Sequence, residues 1–508
     1  MNKFSPYLIF FLSLLISMPI FGQYEVELNG KGNETHTYRS TTGITSTELE
    51  YRGKILFNDA ETDVTYISPG GFLKFSKKSF GNRRTIELEA EANGQIIRSY
   101  KEGNQKLPFE PDGRQWMASV LPEIIRTTGI GAEERVKKFY KKGGINAVLN
   151  EIDELPSDYV QSKYYSAALA LEGLEEAAIG KILAHAGREL SSSYEQSKLL
   201  RNNSSIFQQS EANMAAAIRA VQDISSSYEQ SKVYIHFLSE EDLTEKNKSL
   251  LIQGVREISS SYEQSKVLAA MLKDDLSKSN VELVIAEVPQ IESSFEQSKV
   301  LIYLIKNQEI EDVDFAVLLK AVSSISSSYE QGKVLRLLVE SKDLNTTQII
   351  NVARASTYIS SDYEQSKFIQ SLISKQELNE QSIEAILQAT EKISSSYERT
   401  KILKMIATSK NFTMGNFSSF LKYAAEISSS YDQSKVLSIL TQMDDLSDQQ
   451  QIALIETIGK ISSNYERSKL LISFAPNVSD TGTVREAFLN EAKSLSDTDF
   501  GKVMRALD

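Results

Sequence analysis

One nine-residue stretch, Ile224-Ser-Ser-Ser-Tyr228-Glu-Gln-Ser-Lys232, returns with little change between residues 157 and 469. Its aromatic position is occupied by Tyr159, Tyr194, Tyr228, Tyr262, Phe295, Tyr329, Tyr363, Tyr397, Tyr431 and Tyr465, at intervals of 33 to 35 residues. A fixed period of this length marks an array of supersecondary units, each burying its apolar face against its neighbours.

The chemistry of the stretch identifies the unit. Ser226-x-x-Glu229 has the form of a capping box, in which a hydroxyl and a carboxylate satisfy the free N–H groups at a helix start. The form recurs through Ser463/Glu466, with Ser429/Asp432 as a variant, so the Ser runs begin helices and are not linkers. Apolar positions such as Val267, Leu268, Met271 and Leu272 continue the first helix. A Leu followed by Thr244, Ser277, Asn345, Asn379 or Ser447 then supplies the N-cap of a second helix. Ile383, Ile386, Leu387, Thr390 and Ile393 place one buried face on that helix. The expected fold is mainly α: a solenoid of about ten 34-residue helical hairpins over residues 157–508, preceded by a small antiparallel β domain. The length matches tetratricopeptide repeats, but their Trp-x-x-Leu-Gly and Ala/Phe/Pro signature is missing.

Ahead of the array lie three other segments. Residues 1–22, with Lys3, an apolar core from Tyr7 to Phe21 and a small residue at Gly22, read as a secretory signal peptide. Residues 23–110 alternate in the manner of strands: Asn93-Gly94 predicts a type I′ hairpin, and Ser68-Pro-Gly-Gly71 another turn, in a sheet of five or six strands. Lys74, Lys77, Lys78, Arg83 and Arg84 read as a solvated strand edge. Residues 111–156 form a helical connector, with a kink or break at Pro122, a separation at Gly143-Gly144, and Trp116 buried at the junction with the solenoid.

The run Ser68-Pro-Gly-Gly71, Arg83-Arg84, Leu107-Pro-Phe-Glu-Pro-Asp-Gly-Arg-Gln-Trp116 and Gly143-Gly-Ile-Asn-Ala-Val148 resembles an envelope region of stand-alone exported repeat proteins. It is also similar to the extracytoplasmic tail of membrane metallopeptidases of the beta-lactam-sensor type. The resemblance implies an envelope location and no peptidase chemistry. His36, His185 and His236 are isolated, and none begins the His-Glu-x-x-His that holds zinc in such enzymes.

No phosphate-binding Gly-rich loop and no Gly-x-Ser-x-Gly elbow occurs, and the chain has no cysteine. A formal charge of −12 opposes general nucleic-acid binding. The expectation is a periplasmic, non-enzymatic protein-binding scaffold with no cofactor and no membrane span after leader cleavage. The alternatives are a structural envelope spacer, or a glycan-binding or enzymatic site in the β domain.

Within the repeat, Tyr228/Lys232, Tyr262/Lys266, Tyr329/Lys333, Tyr363/Lys367, Tyr397/Lys401 and Tyr431/Lys435 are expected to form a structural ladder. In it the Tyr ring is buried, the Gln after Glu partners the Tyr hydroxyl, Glu and Lys pair at i, i+3, and the small residue between Gln and Lys admits a neighbouring helix. Second-helix polar residues differ from unit to unit. The discriminating surface is therefore expected there, with Arg256, Glu287 and Glu391 as candidate partner-binding residues.

Overall fold

The computed structural model describes residues 35–240, 243–310, 312–479 and 481–507. The signal-peptide reading of residues 1–22 lies outside the described residues. The chain divides into two compact bodies, residues 1–224 and 225–508.

The first body opens with β1 (Thr35–Thr42), β2 (Thr45–Arg52), β3 (Ile55–Phe57), β4 (Val64–Ile67), β5 (Phe72–Ser79), β6 (Asn82–Ala90), β7 (Ile96–Glu102) and β8 (Gln105–Leu107). Six strands pair antiparallel in the order β1-β2-β5-β6-β7-β8, and β3 and β4 form a separate hairpin. Alternate residues Leu49, Tyr51, Leu73, Phe75, Ile86 and Leu88 turn inward, as period-two patterning requires. Against them lies α1 (Arg114–Thr128), through Met117, Val120, Leu121 and Ile124. The helix assigned to a connector thus belongs to the core of the sheet, and Pro122 sits inside it without ending it. Trp116 packs on that core, with ring centroids 6.0 Å from Phe75 and 5.8 Å from Tyr100.

Turn chemistry departs from expectation in two places. Gly94 has φ +84°, but Asn93 is not left-handed, and Gly94 N–H closes on the Glu91 carbonyl. Asn93-Gly94 is therefore not a type I′ turn, which needs positive φ at both central residues. Both positive values occur instead at Phe80 (φ +50°) and Gly81 (φ +84°), between the paired ends Ser79 and Asn82. Ser68-Pro-Gly-Gly71 does form the expected turn, with Gly70 at φ +74° and Gly71 N–H on the Ser68 carbonyl. The basic residues of β5 and β6 lie on interior strands and not at an edge. Lys77 pairs with Glu123 at 2.7 Å, Arg83 with Glu48 at 3.1 Å and Arg84 with Glu102 at 3.1 Å.

Helix α2 (Ala132–Asp153) leaves helical geometry at Gly143 and Gly144, as their pairing in the sequence predicts. Its buried Arg135 donates to Glu61 (2.9 Å), to the Tyr164 hydroxyl (2.6 Å) and to Glu151 (2.9 Å). Burial raises the pKa of the Glu61 carboxyl, but the Arg135 hydrogen bond and charge, with Lys138, outweigh it and leave the pKa below the ordinary value. Two hairpins complete this body: α3 (Asp158–Leu169) with α4 (Glu176–Glu189), then helices Ser193–Asn202 and Glu211–Gln222.

The second body contains eight hairpins. Its first helices are Ser227–Leu238, Ser261–Met271, Ser294–Asn307, Ser328–Ser341, Asp362–Lys375, Ser396–Ala407, Ser430–Leu440 and Asn464–Phe474. Second helices run from Glu245–Gly254 to Thr483–Lys493, and a last helix, Asp497–Leu507, packs on Asn464–Phe474. That helix repeats the first-helix start as Ser496-x-x-Asp499-x-x-Lys502, so it is the half-unit that covers the terminal apolar face. Ile383, Ile386, Leu387, Thr390 and Ile393 are all buried. Thr244, Asn345, Asn379 and Ser447 cap their helices as expected, whereas Ser277 starts its helix without a side-chain cap bond.

Replacing Arg135 by Met would remove the buried cation that Glu151 and Glu61 share, leaving them only the outer cations Arg126 and Lys138. The expected cost is about 3–5 kcal/mol, measured as a fall in the urea midpoint at unchanged slope. The Glu61 contribution is present above its unfolded pKa and is lost as pH falls through its lower folded pKa. The difference between wild type and variant should therefore shrink in acid.

Candidate functional site

In the second body the first-helix starts stack in register, and their side chains form three parallel hydrogen-bond rows. Each N-cap Ser accepts from the N–H three residues on, as in Ser260 with Glu263 and Ser293 with Glu296 (both 3.4 Å). The return bond of a capping box is absent from these starts; it occurs at second helices, in Asn345/Gln348 and Ser447/Gln450. The N-cap N–H of one unit is satisfied by the preceding unit instead. Ser293 N–H reaches Ser261 Oγ (3.3 Å), Ser361 N–H reaches Ser328 Oγ (3.2 Å), and Ser395 N–H reaches Asp362 Oδ2 (2.8 Å). Hydroxyl pairs such as Ser294 with Ser326 and Ser328 with Ser360, both 2.8 Å, continue that row.

The freed Glu forms the second row. Ser231, Ser265 and Ser298 are wholly buried, and their hydroxyls donate to Glu263, Glu296 and Glu330 of the following unit. Ser434 does the same to Glu466 at 2.6 Å. The small position therefore does admit a close helix, and it also carries the hydrogen bond that crosses between units. Gly332 lacks the hydroxyl, and there Arg336 reaches Glu364 at 2.8 Å through space a Cβ would contest, 2.8 Å from Arg336 Nη1. Lys266, Lys299, Lys333 and Lys401 meet the same carboxylates from the outer side at 3.0–3.3 Å, the i, i+3 pairing expected.

Gln makes the third row, and it does not partner the Tyr hydroxyl. Gln264, Gln297 and Gln433 donate to the Arg256, Ile291 and Ala425 carbonyls at the end of the preceding helix. Arg399, in the Gln position, reaches the Ile393 and Glu391 carbonyls. A further clamp was not legible in the repeated stretch: Gln376 Nε2 binds the Val339 and Lys342 carbonyls, and its Oε1 takes the Leu344 N–H at 2.9 Å.

The Tyr is the main correction. Its ring is exposed, not buried: Tyr228, Tyr262, Phe295, Tyr329, Tyr363 and Tyr431 are each 55% exposed, Tyr397 59% and Tyr465 65%. Lysines lie over these rings, Lys232 (5.1 Å) and Lys266 (5.5 Å) on Tyr228, Lys299 on Tyr262 (5.1 Å), Lys333 on Phe295 (5.6 Å) and Lys367 on Tyr363 (5.8 Å). Lys401 and Lys435 approach Tyr397 and Tyr431 to 4.2 and 3.9 Å. The Glu398 bond is the first cause, ahead of Tyr397, that raises the Lys401 pKa above its ordinary value. The outcome is a stripe of eight rings, one per unit, six of them with a lysine over the ring.

The second-helix candidates fare differently. Glu287 is 4% exposed and Arg256 Nη2 donates to it at 2.5 Å, so the two residues tie successive second helices together and Glu287 cannot face a partner. Glu391 is exposed at the end of helix Glu380–Thr390.

The first body offers two other groupings. A cleft of about 790 Å³ is lined by Tyr51, Lys54, Tyr159, Lys163, Glu195 and Lys198 among others, and Lys163 and Lys198 lie over the Tyr159 ring at 4.6 and 5.6 Å. Among the described residues, Asp153, His185 and Glu189 bring three ligand-type atoms within 4.8 Å of one another. His185 is already engaged at both nitrogens, by the Tyr165 hydroxyl (2.7 Å) and by Asp153 (3.2 Å), and both carboxylates are exposed. Among the described residues, no helix is long and apolar enough to cross a membrane.

Residues 170–415, less than half of the chain, match the family described as "Protein of unknown function (DUF3549)". No curated protein matches the chain. A solved structure described as "Circular tandem repeat protein with novel repeat topology and enhanced subunit contact surfaces" is 10% identical, over 78% of each chain, with a TM-score of 0.16.

Removing Arg336 by an Ala substitution should strand the Glu364 carboxylate and cost about 3 kcal/mol. Adding Gly332→Ser restores a donor at the position it occupies in neighbouring units, and the double variant should recover at least half of the loss. A double-mutant cycle with no coupling would refute the Ser–Glu row as the link between units.

Proposed function

We propose that this chain is a non-enzymatic protein-binding scaffold of the cell envelope, and that its contact surface is the aromatic stripe on the first helices of residues 225–508. The observation that carries the reading is the exposure of eight rings at one repeated position. A Lys over an exposed ring contributes about 0.5–1 kcal/mol, which a solvated ion pair at that site would largely match. Structural economy therefore gives little reason to keep a large ring half in water eight times. Contiguous exposed aromatic surface rimmed by polar groups is characteristic of interaction sites, and Tyr supplies contact area at low cost in side-chain entropy.

Location rests on residues 1–22, whose charge and apolar run read as an export leader. The periplasm is the compartment we favour. Catalysis has no support from the stripe, where the carboxylates are already committed to Ser and Lys partners. A pure spacer would need the three hydrogen-bond rows and not the rings above them.

Capture of a partner from an envelope extract by the immobilised full chain tests this reading. Replacing Tyr262, Tyr329 and Tyr363 together by Ala should abolish capture and leave the unfolding free energy from urea titration within about 1 kcal/mol, as expected for surface changes. Glu391→Lys should leave capture intact. Capture that survives the triple variant but is lost in Glu391→Lys would return the binding surface to the second helices.

A further inference from the structure

The stripe presents the same group at every step, and this limits what it can recognise. Discrimination among irregular partners requires local matches and local penalties that differ along the surface. Identical rungs instead suit a ligand that itself repeats at the same interval. Successive first helices are direct neighbours, since Ser265 bonds Glu296 and Ser298 bonds Glu330. Packed neighbouring helices lie about 8–10 Å apart, which implies rungs at about that interval.

The hydrogen-bonding character of a rung narrows the ligand further. Lys266 and Lys299 each spend one contact on Glu, at Glu263 and Glu296, and an ammonium has three N–H groups to donate. Tyr hydroxyls at the outer edge can donate or accept. The carboxylates that would accept are buried under the rings and already bonded by Ser and Lys. At Phe295 the hydroxyl is missing while the ring and a Lys over it remain, so the ring and not its hydroxyl is the constant element. The stripe thus combines ring faces with a surplus of ammonium donors over carboxylate acceptors, which are committed beneath it.

A proline-rich chain has the complementary character. Proline lacks an N–H, so its backbone offers acceptors alone. In the polyproline II conformation it has no internal hydrogen bonds, three residues per turn and a rise of about 3.1 Å per residue. One turn is about 9 Å, which is one rung. Pyrrolidine rings stack on aromatic side chains in known recognition of such segments. We propose that the aromatic stripe, read above as a protein-binding surface, is a docking track for a proline-rich polyproline II segment of a partner, with one turn over each aromatic–lysine rung. This rests on the stripe being the contact surface. With three residues per turn, eight rungs accommodate a segment of about 24 residues.

Titration of the full chain with a 24-residue polyproline peptide tests the proposal, with a Gly-Ser peptide of equal length and a β-linked N-acetylglucosamine oligosaccharide as separate arms. The expected result is saturable binding of polyproline alone. Affinity should fall at least tenfold in the Tyr262→Ala/Phe295→Ala/Tyr329→Ala variant and about threefold when Tyr329 alone is changed. Unchanged affinity in the triple variant would overturn the assignment, as would binding of the oligosaccharide in place of the peptide. If partner capture depends on the rings while polyproline does not bind, the scaffold reading stands and the polyproline assignment falls. If polyproline binds through the rings while no partner is captured, the stripe stands as a contact surface for proline-rich chain and the envelope origin of its partner falls.

Discussion

Everything distinctive about the second body depends on one buried hydrogen bond, from a serine hydroxyl on one first helix to a glutamate carboxylate on the next. An ionised carboxylate at this depth is costly unless its acceptor sites are filled. Ser fills one from beneath and Lys another from the edge. The requirement dictates register, because only an in-register stack places the donor of one unit under the acceptor of its neighbour. It also dictates residue size, since any larger side chain at Ser265 would overpack the contact. Where the chain departs, it compensates: Gly332 opens a path for Arg336 to the same carboxylate.

That bond explains why the aromatic residue ends in solvent. Glu turns down and sideways to meet Ser, and Lys folds over to meet Glu, so the residue before Glu is left on the outer face of the helix. Its ring then gains only the lysine that crosses it. A recurrent residue in a repeat is usually conserved from copy to copy by packing. Here the packing is carried by Ser, Glu and Gln, and the Tyr ring lies outside it.

The hairpin, its period and its start were legible in the sequence, because N-cap chemistry and apolar spacing are local. Ser226, Thr244 and Asn379 act as their types predict. What was not legible depends on contacts 31 to 33 residues away. A Ser-x-x-Glu reads locally as a closed capping box, and only the neighbouring unit shows that the Glu is used elsewhere. The same blindness placed the Tyr inside and offered Glu287 as a surface charge, when Arg256 of the preceding unit covers it. In the β domain, Asn93-Gly94 carried the stronger type I′ signal, yet strand register put that turn at Phe80-Gly81.

The account turns on the rings of the stripe being accessible in the free protein and covered as a set by the partner. Chemical labelling of tyrosines, read residue by residue by mass spectrometry, measures this directly. Tyr262, Tyr329, Tyr363, Tyr397 and Tyr431 should label readily in the free chain, while Tyr100, Tyr164, Tyr165 and Tyr234, which are buried, should not. Addition of the bound partner should then protect the five stripe residues together. Stripe tyrosines that resist labelling in the free protein, or that label as readily with the partner bound, would contradict the account.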